Sequence, residues 1–172
     1  LMKAYDKSYD PSSKVLHIIE HCEFPNQETF EQLKRGRYAL MMQPGYAWID
    51  KRFLHSYEQT LPQTVLDDMK MKSFYDAGIC LCGSSDSPVQ DLDPYLQMQG
   101  MTQFYNPEES LTPYEALRCY TANAAKALME EDERGTLEVG KVADFFTLGE
   151  DFFKASADNI SKIRPNQTYI GG

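Results

Sequence analysis

Ile79-Cys80-Leu81-Cys82-Gly83-Ser84-Ser85-Asp86-Ser87-Pro88 passes without a break from an apolar run into a turn of small polar residues. Four apolar residues in a row, bounded by turn formers, read as a short strand buried on both faces. Two similar runs lie upstream. Val15-Leu16-His17-Ile18-Ile19-Glu20 is bounded by Pro11-Ser12-Ser13 and Pro25-Asn26, and Tyr38-Ala39-Leu40-Met41-Met42 stops at Pro44-Gly45. Between the first two, Asn26 can cap a helix that carries Phe30 and Leu33 and ends at Gly36. Between the second and third, a long loop holds Trp48 and His55. A helix is then expected from Thr64 to Ala77, with Gly78 as its stop. Strand and helix alternating in this way is the βαβ rhythm of a parallel sheet, so the fold class is α/β.

Downstream, Asp93-Pro94 opens a helix that should run through Phe104. Thr112, Pro113 and Glu115 occupy the N-cap, first and third positions of another, and Ala116, Leu117, Tyr120, Ala124, Ala127 and Leu128 keep its apolar stripe in register. Beyond Arg134-Gly135 the pattern changes. A turn at Gly140-Lys141 leads into a strand ending near Leu148, and Tyr169-Ile170 reads as a short last strand.

The chain has 172 residues, with 26 acidic side chains against 17 Lys and Arg, for a formal net charge of −9. That balance argues against nucleic acid or an anionic membrane as partner, because neutralising phosphates takes clustered cations. With 42% apolar residues there is enough material for a packed core. No apolar run approaches the roughly 18 residues of a membrane span, and Leu1–Pro11 carries no signal-peptide pattern. Cys22, Cys80, Cys82 and Cys119 do not form a disulfide framework, so a reducing cytoplasm is the expected setting. Met2-Lys3-Ala4-Tyr5 reads as the second half of a helix, which leads us to expect a piece of a longer protein.

Few residues can carry chemistry. His17 and His21 would share one face of a helix and could chelate one metal, but on a strand they lie about 13 Å apart. The β-branched run favours the strand, and His21, at its carboxyl end, is the better candidate because parallel α/β folds place their sites there. Its bland alternative is a hydrogen-bonded core histidine. Asp86 also follows a buried strand, in a turn with room for a ligand; it could bind a cation and take a proton from water, or merely cap the next segment. Cys80 and Cys82 read as core residues, since no second pair has zinc-ribbon spacing. The loop with His55 also holds Tyr46, Trp48 and Tyr57 and could shape a substrate pocket, although a solvated histidine is the simpler account.

Taken in order, several segments form a series: Ile19-Glu20-His21-Cys22, Gln43-Pro44, Ser84-Ser85-Asp86-Ser87-Pro88-Val89, Leu92-Asp93-Pro94, Asn106–Thr112, Tyr120-Thr121-x-Asn123-Ala124-Ala125 and Gly135–Phe145. The series resembles the carboxyl-terminal part of the amidohydrolase superfamily, in the branch of D-aminoacylase-like and N-substituted formamide deformylase-like enzymes. The resemblance implies about strands 6–8 of a (β/α)8 TIM-like barrel over residues 1–130, and part of a composite β-sandwich over 131–172. It implies that His21 is the metal-site histidine after the sixth strand. Asp86 would be the aspartate after the eighth, which contacts the metal and shuttles a proton. The cofactor would be one or two divalent ions, zinc foremost, and the substrate a small molecule with an amide-type carbon–nitrogen bond. Lys141 and Asp144 would be structural.

The chain departs from that family in carrying no His-x-His pair, and Ser84 stands where relatives usually have Gly. A complete barrel takes roughly 250 residues. The isolated chain is therefore expected to be inactive and to hold only part of the metal site. Its open barrel edge is expected to make it a homo-oligomer, and a non-catalytic packing module is the alternative reading.

Overall fold

The computed structural model describes residues 12–48 and 51–172, together with Ala4, Lys7 and Asp10. Of the helix expected at 2–5, only Ala4 falls among the described residues. β1 (His17–Glu20), β2 (Tyr38–Met42) and β3 (Cys80–Gly83) form one parallel sheet in that order. His17 lies opposite Tyr38 and Ala39 opposite Cys80. Paired residues in a parallel ladder point to the same face, and this register sorts the side chains. Tyr38, Leu40, Met42, Ile79 and Leu81 join Leu33, Phe74 and Met98 in the main core. Ala39, Cys80 and Cys82 meet Ala127 in a smaller apolar cluster. All four thiols are free, and burial pushes that of Cys119 up to about 12.

α1 (Gln27–Arg35) starts where Asn26 accepts the Thr29 N–H at 2.8 Å, as its sequence predicts. The expected loop after β2 is instead helical, as α2 (Pro44–Trp48) and α3 (Lys51–Thr60). Pro44 does end the strand, but its missing N–H costs nothing in a first helical turn. The Gly45 N–H then donates to Gln97 Oε1 at 2.9 Å. The single helix expected over 64–77 is two: α4 (Gln63–Asp67) and α5 (Lys72–Asp76). The break is held from afar, because Glu109 Oε2 accepts the N–H groups of both Met71 and Ser73, at 2.9 and 2.7 Å.

After β3 come α6 (Pro94–Thr102), α7 (Pro113–Tyr120) and α8 (Ala122–Ala127). The expected capping box forms: Glu115 N–H donates to Thr112 Oγ1 at 3.3 Å, and Thr112 N–H to Glu115 Oε2 at 2.9 Å. The helix nevertheless breaks at Thr121, and Asn123 Nδ2 reaches the Leu81 carbonyl of β3 at 2.9 Å. Gly83 lets α7 close on the strand end; a Cβ there would lie 2.1 Å from the Tyr120 ring.

β4 (Phe145–Leu148) pairs antiparallel with β5 (Pro165–Tyr169), and the rings of Phe145 and Tyr169 stack 4.4 Å apart. The last strand is thus longer than Tyr169-Ile170 suggested. No helix of the described residues is long and apolar enough to cross a membrane.

Candidate metal centre

His21 N–H donates to Met41 O at 2.9 Å, the last rung on β1, and there the backbone leaves the sheet. His21 and Cys22 adopt φ of 66° and 61°, and Asp86, beyond β3, adopts 50°. Non-glycine residues enter this left-handed region at a cost, one that aspartate meets more readily than most, and such positions concentrate at sites where a side chain must be aimed. Asp86 is further held by a 3.2 Å bond from its N–H to Ser84 Oγ.

The outcome is convergence of the two expected site residues. His21 Nε2 stands 3.9 Å from Asp86 Oδ2, with both side chains roughly half exposed. Two further groups hold the pair. Tyr46 OH donates to Asp86 Oδ2 at 2.6 Å, its ring centroid 6.0 Å from that of His21. Glu23 Oε1 lies 3.4 Å from His21 Nδ1, and Glu23 Oε2 accepts a 2.7 Å bond from Tyr57 OH. Burial and the adjoining carboxylates, Asp86 for one and Glu23 for the other, push both phenols far above their ordinary pKa, so both remain donors.

His17 and His55 stand apart from this pair. His17 is at the start of β1, its ring 6.4 Å from that of Tyr38, and His55 is exposed on α3 with Gln59 Nε2 2.9 Å from its Nε2. Gln43, at the end of β2, is buried and donates to Glu20 Oε2 at 3.2 Å. Lys141 Nζ donates to Glu131 O and Thr136 Oγ1, and Asp144 accepts the Gly171 N–H.

An imidazole nitrogen and a carboxylate oxygen are suitable donors for zinc, with bonds of about 2.0–2.2 Å each, so a 3.9 Å separation lies within reach of one ion. Among the described residues, no three His, Cys, Asp or Glu side chains gather closely enough to hold an ion by themselves. The donors fit part of a metal site. Glu23 and Tyr46 lie outside the expected site, and the only sequence signal for them is proximity: Glu23 is two residues from His21, and Tyr46 opens the aromatic loop.

The amidohydrolase family matches residues 2–172. Amidohydrolase YtcJ of Bacillus subtilis (strain 168) is 28% identical over 186 residues, covering 92% of this chain and 34% of that protein. N-substituted formamide deformylase of Arthrobacter pascens is 29% identical over 109 residues, covering 59% of this chain and 20% of that protein. The chain therefore spans about a third of one curated relative and a fifth of the other. An uncharacterized metal-dependent hydrolase from Pyrococcus horikoshii OT3 superposes with a TM-score of 0.76 at 20% identity, over 91% of this chain and 32% of that one; this likeness shows the fold.

Proposed function

The chain belongs to the amidohydrolase family, and from that membership we propose that it supplies about the sixth to eighth strands of a metal-dependent hydrolase barrel. Residues 131–172 would belong to a small β-sandwich. The substrate class is a small molecule with an amide-type, non-peptide carbon–nitrogen bond, a reading supported by the formamide deformylase relative. The observation that carries the site is the 3.9 Å approach of His21 Nε2 to Asp86 Oδ2 across the ends of β1 and β3.

In this reading His21 and Asp86 hold a divalent cation, zinc foremost. When bound, such an ion lowers the pKa of water and polarises a scissile carbonyl. The chain's own part in the chemistry falls to Asp86, whose carboxylate accepts the proton of the attacking water and passes it to the leaving nitrogen. Tyr46 keeps that carboxylate aimed. A catalytic zinc site usually takes three protein ligands plus water, and the described residues bring two; alone the chain should be inactive. Four free thiols favour a reducing cytoplasm.

Metal content of the purified chain tests the site. Substoichiometric to stoichiometric zinc that disappears in His21→Ala is the expected result if two donors suffice or a second copy completes the set. Zinc retained unchanged in His21→Ala would remove His21 from the site.

A second reading, an assembly module that pairs with another copy, is favoured by β1. It is an edge strand of its sheet, and Ile18 on it is 43% exposed. Unpaired strand edges recruit other chains. Light scattering at micromolar concentration should then report a dimer or larger species, whereas a clean monomer would count against it.

A further inference from the structure

We propose that Glu23 is a positioning residue for His21, fixing which ring nitrogen carries the proton. This rests on the reading of His21 as a metal-holding residue. Glu23 faces Nδ1, the nitrogen turned away from Asp86, at 3.4 Å, the outer edge of hydrogen-bond distance. Nε2 is left toward Asp86. Glu23 is itself immobilised: its side chain is only 15% exposed, against 44% for His21, and its other oxygen is taken by Tyr57 OH at 2.7 Å. Tyr57 sits on α3, so that helix reaches the histidine through the carboxylate.

The chemistry follows from the imidazole. A neutral ring has one N–H and one lone pair, and only the lone pair can hold a cation. A carboxylate at Nδ1 stabilises the Nδ1–H form, which leaves the Nε2 lone pair facing Asp86. Free imidazole side chains prefer the opposite tautomer, with the proton on Nε2. Without Glu23 the ring would present its proton where the site needs its lone pair. Glu23 is not itself a further metal donor in this arrangement, since Oε1 and Oε2 are both directed to other partners.

Long-range proton–nitrogen NMR spectra of the metal-free chain at alkaline pH, where the ring is neutral, read the tautomer directly. His21→Ala identifies the His21 signals among those of the three histidines. The expected result is a predominant Nδ1–H form in the unaltered chain and a tautomer ratio about tenfold less in its favour in Glu23→Ala, from loss of a hydrogen bond to a charged group. His17 and His55 should not move. Glu23→Gln keeps the shape while removing the charge; it stands in if the alanine variant does not fold, and its ratio should shift in the same direction. An Nε2–H form in the unaltered chain, or an unchanged ratio in the folded variant, overturns the proposal. No metal enters this measurement, so its failure is separate from a failure of the zinc assignment, which metal content in His21→Ala decides.

Discussion

Phe74→Ala is expected to cost about 3–5 kcal/mol of folding stability, the range for removing a fully buried aromatic ring. Phe74 is completely buried, and its ring stacks on that of Phe30 from α1 at 5.7 Å. Its carbonyl accepts the Ile79 N–H at 3.2 Å, so the same residue turns the chain from α5 into β3. Collapse of the shared core into the void is opposed, because Leu40 and Leu81 of that core are held by the sheet and the Met71 backbone by the Glu109 carboxylate. A chain of this size has in total about 5–15 kcal/mol, so the variant should lose a fifth or more of it. Urea unfolding followed by circular dichroism measures this as a lower midpoint at unchanged slope. A loss below about 1 kcal/mol would mean that α1, α5 and β3 do not share one core.

The three parallel strands were legible because each holds a short apolar run bounded by Pro, Gly or Ser, but only β2 and β3 are buried as such runs predict; β1, at the sheet edge, leaves His17, Ile18 and Glu20 exposed. The capping box at Thr112 was legible because its two hydrogen bonds join residues three apart. The misread segments depend on distant partners. Nothing between Asp68 and Met71 announces that Glu109, some 38 residues on, will accept two N–H groups and restart the helix. Nothing near Gly45 announces Gln97, 52 residues away. The stripe from Ala116 to Leu128 kept its register and still broke at Thr121, where Asn123 leaves for the β3 backbone.

The site divides in the same way. His21 and Asp86 could be picked out by residue type and by their place at strand ends. Their convergence was implied only by the family resemblance and not by residue pattern, since it goes with left-handed backbone at His21 and Asp86 that pattern alone does not report. Glu23, Tyr46 and Tyr57 were less legible still. Tyr57 reaches Glu23 across 34 positions and Tyr46 reaches Asp86 across 40; either tyrosine alone reads as one more aromatic residue.

With this chain supplied with the rest of an amidohydrolase barrel, Asp86→Asn should lower kcat/KM by about 10²–10⁴-fold, the range assigned to a positioned general acid–base group. The substitution keeps shape and volume. Its amide oxygen can still accept the Tyr46 hydroxyl, now bonded to Oδ2 at 2.6 Å. Folding stability should therefore move by no more than about 0.5 kcal/mol, as for substitutions that leave packing intact. What the amide cannot do is bind a proton at neutral pH, so the water keeps its proton and the leaving nitrogen receives none. The measurement pairs kinetics with an unfolding midpoint. Because a carboxylate ligand is lost as well, metal content must be read beside the rate: full metal with a collapsed rate assigns the proton transfer to Asp86, and lost metal assigns it chiefly to holding the ion. Tyr46→Phe separates the two further, since it leaves the carboxylate charged and removes only its tether; its loss should be smaller than that of Asp86→Asn. An Asp86→Asn enzyme that turns over within about tenfold of the parent would show that the proton travels by another group.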